Sequence, residues 1–309
     1  MENFLSVHDV DDVQQLVERA QHLKAQQDAA FGEGAHLTSV FFNPSLRTRL
    51  STEKAARRAG MTVTTMDAGG GWKIEFEDGS TMDGSTAEHI REAAAVLSQY
   101  TDVLAVRSFP GFEDREADYA DHVIKSFVRY ASVPVMSLES AIRHPLQSLA
   151  DCLTIQEHDA RPRPRVVLTW APHPRRLPQA VANSFAEWML AWGRVDLTIA
   201  NPEGFDLAPE FTRGARVLHD QDEALRDADF VYAKNWSSYE DYGATTDRPD
   251  WQITTQRMAL TNNAYFMHCL PVRRNVVVSD AVLNGDRSLV IRQADNRTWA
   301  AMAVLEELL

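Results

Sequence analysis

The chain has 309 residues, 44% of them hydrophobic and 24% charged, and a net charge of −13 from 31 basic and 44 acidic side chains. This composition leaves room for one large or two medium globular domains with sizeable cores; the acidic balance argues against a nucleic-acid or anionic-membrane surface, so any anion must be captured locally. Two scattered cysteines, Cys152 and Cys269, make no disulfide framework, MENFLSVHDVDD lacks the basic-then-apolar layout of a signal peptide, and no apolar run approaches bilayer length, which makes a cytoplasmic, reducing location the default expectation.

Apolar residues at helical spacing behind a run of acids predict a first helix over residues 9–26. HLTSVFFN then reads as a buried strand that ends at Phe42, turns through Asn43-Pro44 and opens a basic helix at Ser45. A helix start presents unpaired N–H groups and a positive dipole end. Arg47 and Arg49 in its first turn have the wrong sign for a helix left to itself, so they call for a bound anion or a nearby carboxylate. The bland alternative is an ordinary strand-to-helix junction whose arginines point into water.

Residues 61–67 (MTVTTMD) predict a second strand by their β-branched content. GGGWKIEFEDGSTMDGST follows as an irregular loop with Trp72 and Lys73 exposed in its middle, either a mobile lid or a surface excursion. STAE, residues 85–88, has the form of a capping box and predicts a helix running to about Tyr100. Next come the strand DVLAVRS, which ends at Arg107, a helix over 116–130, the strand VPVMSLE, which ends at Glu139, and the helix HPLQSLADCLTIQEH. Strands alternating with helices at this spacing predict an α/β fold with a parallel sheet covered on both faces. Ligands of such sheets sit at the carboxyl ends of strands, where Asn43 to Arg49, Arg107 and Glu139 all fall.

ARPRPRV, residues 160–166, is a compositional break that marks entry into a second α/β unit. VVLTWA, VDLTIANP, ARVLHD, DFVYAKN and AYFMHCLP supply its strands, and ANSFAEWMLAWG its main helix. A last amphipathic helix is predicted over 296–309, with Trp299, Met302, Leu305, Leu308 and Leu309 on its packing face.

His144 and Gln147, one turn apart at a helix start, could donate to a carbonyl or accept from an amide, although a lone histidine there is more often a cap or a core hydrogen bonder. In HCLPVRR, Cys269 stands beside two arginines at a strand end, yet no histidine and carboxylate relay accompanies it as a thiol nucleophile would require. The histidines and cysteines show no ligand spacing such as CxxC or HExxH, so no metal is assigned, and no GxGxxG follows a strand.

SLRTR, HPLQ with Asp151 four residues beyond, and HCLP, in this order and at these separations, resemble the aspartate/ornithine carbamoyltransferase family along the whole chain. The resemblance implies two doubly wound parallel-sheet domains: residues 1–143 with a returning C-terminal helix at 295–309 for carbamoyl phosphate, and 144–294 for the amine substrate. It implies a homotrimer with shared active sites and no organic cofactor. Ser45, Leu46, Arg47, Thr48 and Arg49 would hold the phosphate, Arg107, His144 and Gln147 would surround the carbamoyl group, and Cys269 and Leu270 would meet its NH2 through main-chain carbonyls. Arg297 would close the phosphate side and Trp72 would arrive from a neighbouring subunit. An amine attacks the carbonyl carbon while Arg107, Thr48 and His144 stabilise the oxyanion; the departing phosphate and Cys269 are alternative proton acceptors.

The same resemblance narrows the amine. HCLP replaces the HPLP typical of aspartate enzymes, and no SMG motif for a free α-amino group occurs. WKIE, ESAIRHPLQ, WAPHPRRLPQAV, YAKNW and HCLPVRRN resemble the N-acylornithine branch, in which Glu139, His173, Lys234 and Arg273 correspond to substrate contacts and the second domain carries a trefoil knot. The acetyl type carries a glutamate where Ala87 sits and a lysine where Val277 sits, whereas the succinyl type has proline and an aliphatic residue there. A glutamate would repel a succinyl carboxylate, so Ala87 favours N-succinylornithine over N-acetylornithine while matching neither pattern. A carbamoyl-phosphate-binding partner without transfer activity is the alternative of a different class; loss of Arg47, His144 or Gln147 would be its signature.

Overall fold

The computed structural model describes residues 1–309 except Asp28, Gly69 and Ala160. The first glycine of 69–71 and the first residue of the 160–166 break therefore lie outside the described residues. Two compact units are present, one of Met1–Gly111, Glu116–Leu146 and Arg297–Leu309, the other of Phe112–Arg115 and Gln147–Asn296. Among the described residues no helix is long and apolar enough to cross a membrane.

In the first unit, α1 (Val13–Gln26) leads to β1 (His36–Phe41), α2 (Arg47–Arg58) and β2 (Thr62–Asp67). Short strands β3 (Ile74–Glu75) and β4 (Glu88–His89) precede α3 (Ile90–Leu97), β5 (Val103–Arg107), α4 (Arg115–Tyr119), α5 (His122–Tyr130) and β6 (Val135–Glu139). The main sheet has the order β2-β1-β5-β6 and every pairing is parallel. Strands β1, β5 and β6 are buried on both faces, which is why they read as nearly continuous apolar runs, whereas the edge strand β2 is partly exposed. Val40, Leu104, Val106, Phe127 and Val135 form the core beneath α3 and α5. The strand order reverses between β1 and β5, and the register sets Phe41 beside Arg107 and Arg107 beside Glu139. The segment 42–49 thus leaves the sheet at its topological switch point, where a doubly wound sheet opens a ligand crevice.

Several boundaries differ from the sequence expectation. The first helix starts at Val13 with Asp12 accepting the Gln15 N–H at 3.0 Å, because residues 7–9 form a separate 3-10 turn capped by Ser6. The STAE segment does not cap a helix: Ala87 donates its N–H to Lys73 O (2.8 Å), Glu88 and His89 pair with Ile74 and Glu75, and the His89 side chain caps α3 instead. Long-range pairing outweighs the local capping signal here. The helix expected over 116–130 breaks at Asp121 (φ 54), whose buried carboxylate accepts from Ser140 Oγ (2.7 Å) and Ala141 N–H (3.1 Å).

The second unit contains most of α6 (Pro145–His158), then β7 (Arg165–Trp170), α7 (Ala180–Trp192), β8 (Asp196–Ala200), α8 (Pro209–Thr212) and β9 (Arg216–Leu218). It continues through α9 (Gln221–Leu225), β10 (Phe230–Lys234), α10 (Thr255–Met258), β11 (Tyr265–Met267) and α11 (Asp280–Leu283) into the start of α12 (Val290–Leu308). Its sheet is again all parallel, ordered β11-β10-β7-β8-β9, with the reversal between β7 and β10. Helix α7 is apolar nearly all round and ends on Gly193, whose φ of 65° closes the helix in the left-handed conformation. Helix α12 begins six residues before the expected start. Its polar first turns look like loop in sequence, but Gln293 bonds Asp151, and Asn296 bonds Thr154 (2.9 Å) and Glu157 (2.9 Å), all on α6.

Candidate active site

In the first unit the site is built where β1 gives way to α2. Ser45 Oγ accepts the Thr48 N–H at 3.3 Å, so Ser45 caps from outside; Leu46 is already in helical conformation and α2 proper begins at Arg47 rather than at Ser45. Thr48 is buried, and its hydroxyl accepts from Arg107 Nη1 (3.3 Å) at the end of β5 and from Arg297 Nη2 (2.6 Å) on α12. Arg107 also forms a buried ion pair with Glu139 at the end of β6, and His144 Nε2 lies 3.6 Å from the same carboxylate oxygen. Two buried guanidinium groups thus converge on one hydroxyl, an arrangement suited to an anion. Arg47 is half-buried at the helix start.

Not every expected residue joins this group by its side chain. Arg49 is exposed and pairs with Glu53 one turn on (3.3 Å), a carboxylate that also accepts from Thr65 Oγ1 (2.8 Å). Of the two explanations offered for first-turn arginines, Arg49 takes the carboxylate. Leu46 is 67% exposed and Leu50 57% exposed, one turn apart on α2. Trp72 donates its indole N–H to Glu88 (2.8 Å), adjacent to Ala87. The pairing of β3 with β4 therefore joins Trp72 and Ala87 in one clamp, and Phe76 anchors the loop against Phe42 and Phe127 at ring distances of 5.9 and 6.5 Å. The two ends of the loop are thus tied down, while residues 77–85 between them are irregular and exposed, as expected.

The second unit presents two groups of its own. At the carboxyl ends of β7 and β10, His173 and Lys234 follow the switch point, with Lys234 buried and its Nζ donating to Asn235 O (2.9 Å). Burial first, and then the cations Lys234, Arg273 and Arg175, hold the His173 imidazolium below the usual histidine range. Three cations acting on one imidazole make this an electropositive group suited to carboxylates. Arg175 also offers its N–H to His173 Nδ1 (3.1 Å). Val277, in contrast, is buried and apolar. The other group is buried: Gln147 donates to Asp151 (2.8 Å), and Tyr232 on β10 faces Asp151 and Cys269. Burial, reinforced by those neighbours, pushes the Tyr232 hydroxyl well up and keeps it protonated. Leu270 adopts φ 56 and its peptide bond to Pro271 is cis.

The sequence matches the aspartate/ornithine carbamoyltransferase carbamoyl-P binding domain over residues 2–157 and the Asp/Orn binding domain over residues 178–308. The chain belongs to the aspartate/ornithine carbamoyltransferase family. It is 48% identical to N-succinylornithine carbamoyltransferase of Bacteroides thetaiotaomicron over 100% of this chain and 99% of the relative. It is 39% identical to N-acetylornithine carbamoyltransferase of Xanthomonas campestris over 89% of this chain and 88% of that one. Among solved structures, a glutamate-to-alanine mutant of N-acetyl-L-ornithine transcarbamylase complexed with carbamyl phosphate and N-succinyl-L-norvaline superposes with a TM-score of 0.94 at 37% identity, each chain fully covered. Motif reading gave no role to Glu88, although it ends STAE, to Tyr232, although it opens YAKNW, or to Gln293; tertiary contacts set them beside Trp72, Cys269 and Asp151.

Proposed function

We propose that the chain transfers the carbamoyl group of carbamoyl phosphate to the side-chain amine of N2-succinyl-L-ornithine, giving N-succinyl-L-citrulline and phosphate. The observation that carries the choice of amine is the set of cations Arg175, Lys234 and Arg273 around His173, which suits a substrate with two carboxylates. Ala87 supports it by placing no negative charge where the acetyl type has a glutamate, as does the higher identity to the succinylornithine relatives. The acylornithine contacts are assigned to Trp72, Ala87, Glu139, His173, Lys234 and Arg273.

Carbamoyl phosphate is assigned to the first domain, residues 1–143 with 295–309, and the acylornithine to residues 144–294. Ser45 to Arg49 and Arg297 receive the phosphate; Arg107, Thr48 and His144 stabilise the oxyanion formed on amine attack. Gln147, Cys269 and Leu270 take the carbamoyl NH2. No covalent intermediate is required, because the amine is itself the nucleophile and phosphate a good leaving group once its charge is neutralised. A cytoplasmic homotrimer is the proposed working form; Leu46 and Leu50, exposed apolar neighbours on α2, suit a subunit contact, with Trp72 presented to the adjacent subunit.

The test is turnover of purified protein with carbamoyl phosphate and, separately, ornithine, N-acetylornithine and N-succinylornithine. The highest kcat/KM is expected for the succinyl substrate. Citrulline formed fastest from free ornithine would overturn the assignment, and no turnover with any amine would favour a binding protein.

A further inference from the structure

Resting on the carbamoyl transfer proposed above, Gln147 must offer an acceptor to the carbamoyl NH2. Its side chain alone does not decide this, since an amide turned by half a rotation offers a donor instead. Its surroundings do. Gln147 Nε2 donates to Asp151 Oδ1 at 2.8 Å, one turn further along α6. The same oxygen accepts from Gln293 Nε2 on α12 at 2.6 Å, and Gln293 Oε1 accepts the main-chain N–H of His268 at 3.0 Å. His268 Nδ1 in turn accepts the N–H of Leu270 at 2.8 Å.

The direction of this chain of bonds is set from both ends. A main-chain N–H only donates and Asp151 Oδ1 accepts twice, so Gln293 and Gln147 each turn their NH2 toward Asp151. Gln147, Asp151 and Gln293 have no exposed surface and His268 almost none, so a reversed amide would leave buried polar groups unpaired. Tyr232, fully buried, lies near both Asp151 and Cys269.

We propose that Asp151 is the positioning residue for the carbamoyl end of the substrate. It turns the Gln147 carbonyl toward the ligand NH2 and, through Gln293, sets the main chain from His268 to Leu270 that frames the same end. The consequence is chemical selectivity: acetyl phosphate matches carbamoyl phosphate in charge and size but brings a methyl group in place of NH2, and has nothing to donate to the fixed carbonyl.

Asp151→Asn removes the acceptor-only end and lets Gln147 reverse. With kcat and both KM values measured, the variant should raise KM for carbamoyl phosphate about tenfold or more and leave KM for the acylornithine within about twofold. The inhibition constant of acetyl phosphate should stay unchanged, so the preference between the two phosphates narrows. In a Gln147→Met background, Asp151→Asn should cost clearly less than it does alone, because one of the two partners through which it acts is gone. Equal KM values, additive effects in the double variant, or a parallel loss with both substrates would overturn the proposal. If Asp151→Asn does not fold, Gln293→Met carries the test, with the same selective rise expected and an unchanged KM for carbamoyl phosphate refuting it. Should the wild-type chain turn over no amine, the functional reading fails by itself; calorimetric affinities of wild type and Gln293→Met for carbamoyl and acetyl phosphate then decide the positioning role alone.

Discussion

Thr48→Val probes the hydroxyl on which the first unit's buried arginines converge. Valine keeps the shape of a side chain that is 2% exposed and deletes the acceptor of Arg297 Nη2 at 2.6 Å and Arg107 Nη1 at 3.3 Å. A hydrogen bond from a charged donor contributes about 1.5–3 kcal/mol. The shorter bond should be worth the upper part of that range. The longer one adds little, because Arg107 keeps its ion pair with Glu139. A destabilisation of about 3 kcal/mol follows, equivalent to a fall of roughly 6–12 °C in the thermal midpoint for a unit of this size. Differential scanning calorimetry in phosphate-free buffer measures it. Added phosphate should raise the wild-type midpoint by mass action and raise that of the variant less. KM for carbamoyl phosphate should rise about tenfold while KM for the acylornithine holds. A midpoint within about 2 °C of wild type, together with unchanged KM values, would show that the hydroxyl organises neither the arginines nor the anion.

Other perturbations read other parts of the molecule. Ala87→Glu should oppose a succinyl carboxylate by about 1–2 kcal/mol and shift the ratio of acetyl to succinyl kcat/KM about tenfold toward acetyl; an unchanged ratio would undo the choice of substrate. Cys269→Ser should keep kcat within about threefold if the departing phosphate takes the amine proton, whereas a loss beyond about a hundredfold would make the thiol the acceptor. Burial raises the Asp121 pKa, so its contribution to stability is full below the ordinary carboxylate range and is lost as pH rises through the raised value. Asp121→Asn retains an acceptor for Ala141 N–H and tolerates φ 54, so urea unfolding at pH 7 should show a variant at least as stable as wild type, with any advantage gone below about pH 4. A variant clearly weaker at pH 7 would contradict this.

Much of the architecture was legible in the chain. Buried parallel strands announce themselves as short apolar runs ending in a turn, and β1, β5, β6, β7 and β10 all stand where such runs predict them. The phosphate-type junction at 42–49 was legible for the same reason: its strand, turn and basic helix are contiguous, and each is a local property. Failures occurred where distant residues compete with local signals. The STAE segment carries a good capping pattern but satisfies its backbone on Lys73, Ile74 and Glu75; the polar start of α12 has no helical signature until α6 supplies its partners.

By itself, then, the sequence determined two parallel α/β units, the junction of strand, turn and basic helix that contains Ser45 to Arg49, and the likeness to a family that moves carbamoyl groups. These follow from periodicity, helix-end electrostatics and motif spacing, all readable within a few residues. Only the tertiary structure decided that Thr48 is the shared acceptor of Arg107 and Arg297, that Trp72 and Ala87 belong to one clamp, and that Asp151 orients Gln147 through the same oxygen that holds Gln293. The physical reason is directionality. A hydrogen-bond network is defined by which donors meet which acceptors across the fold, and residues 142 positions apart, such as Asp151 and Gln293, leave no trace of that meeting in the order of the chain.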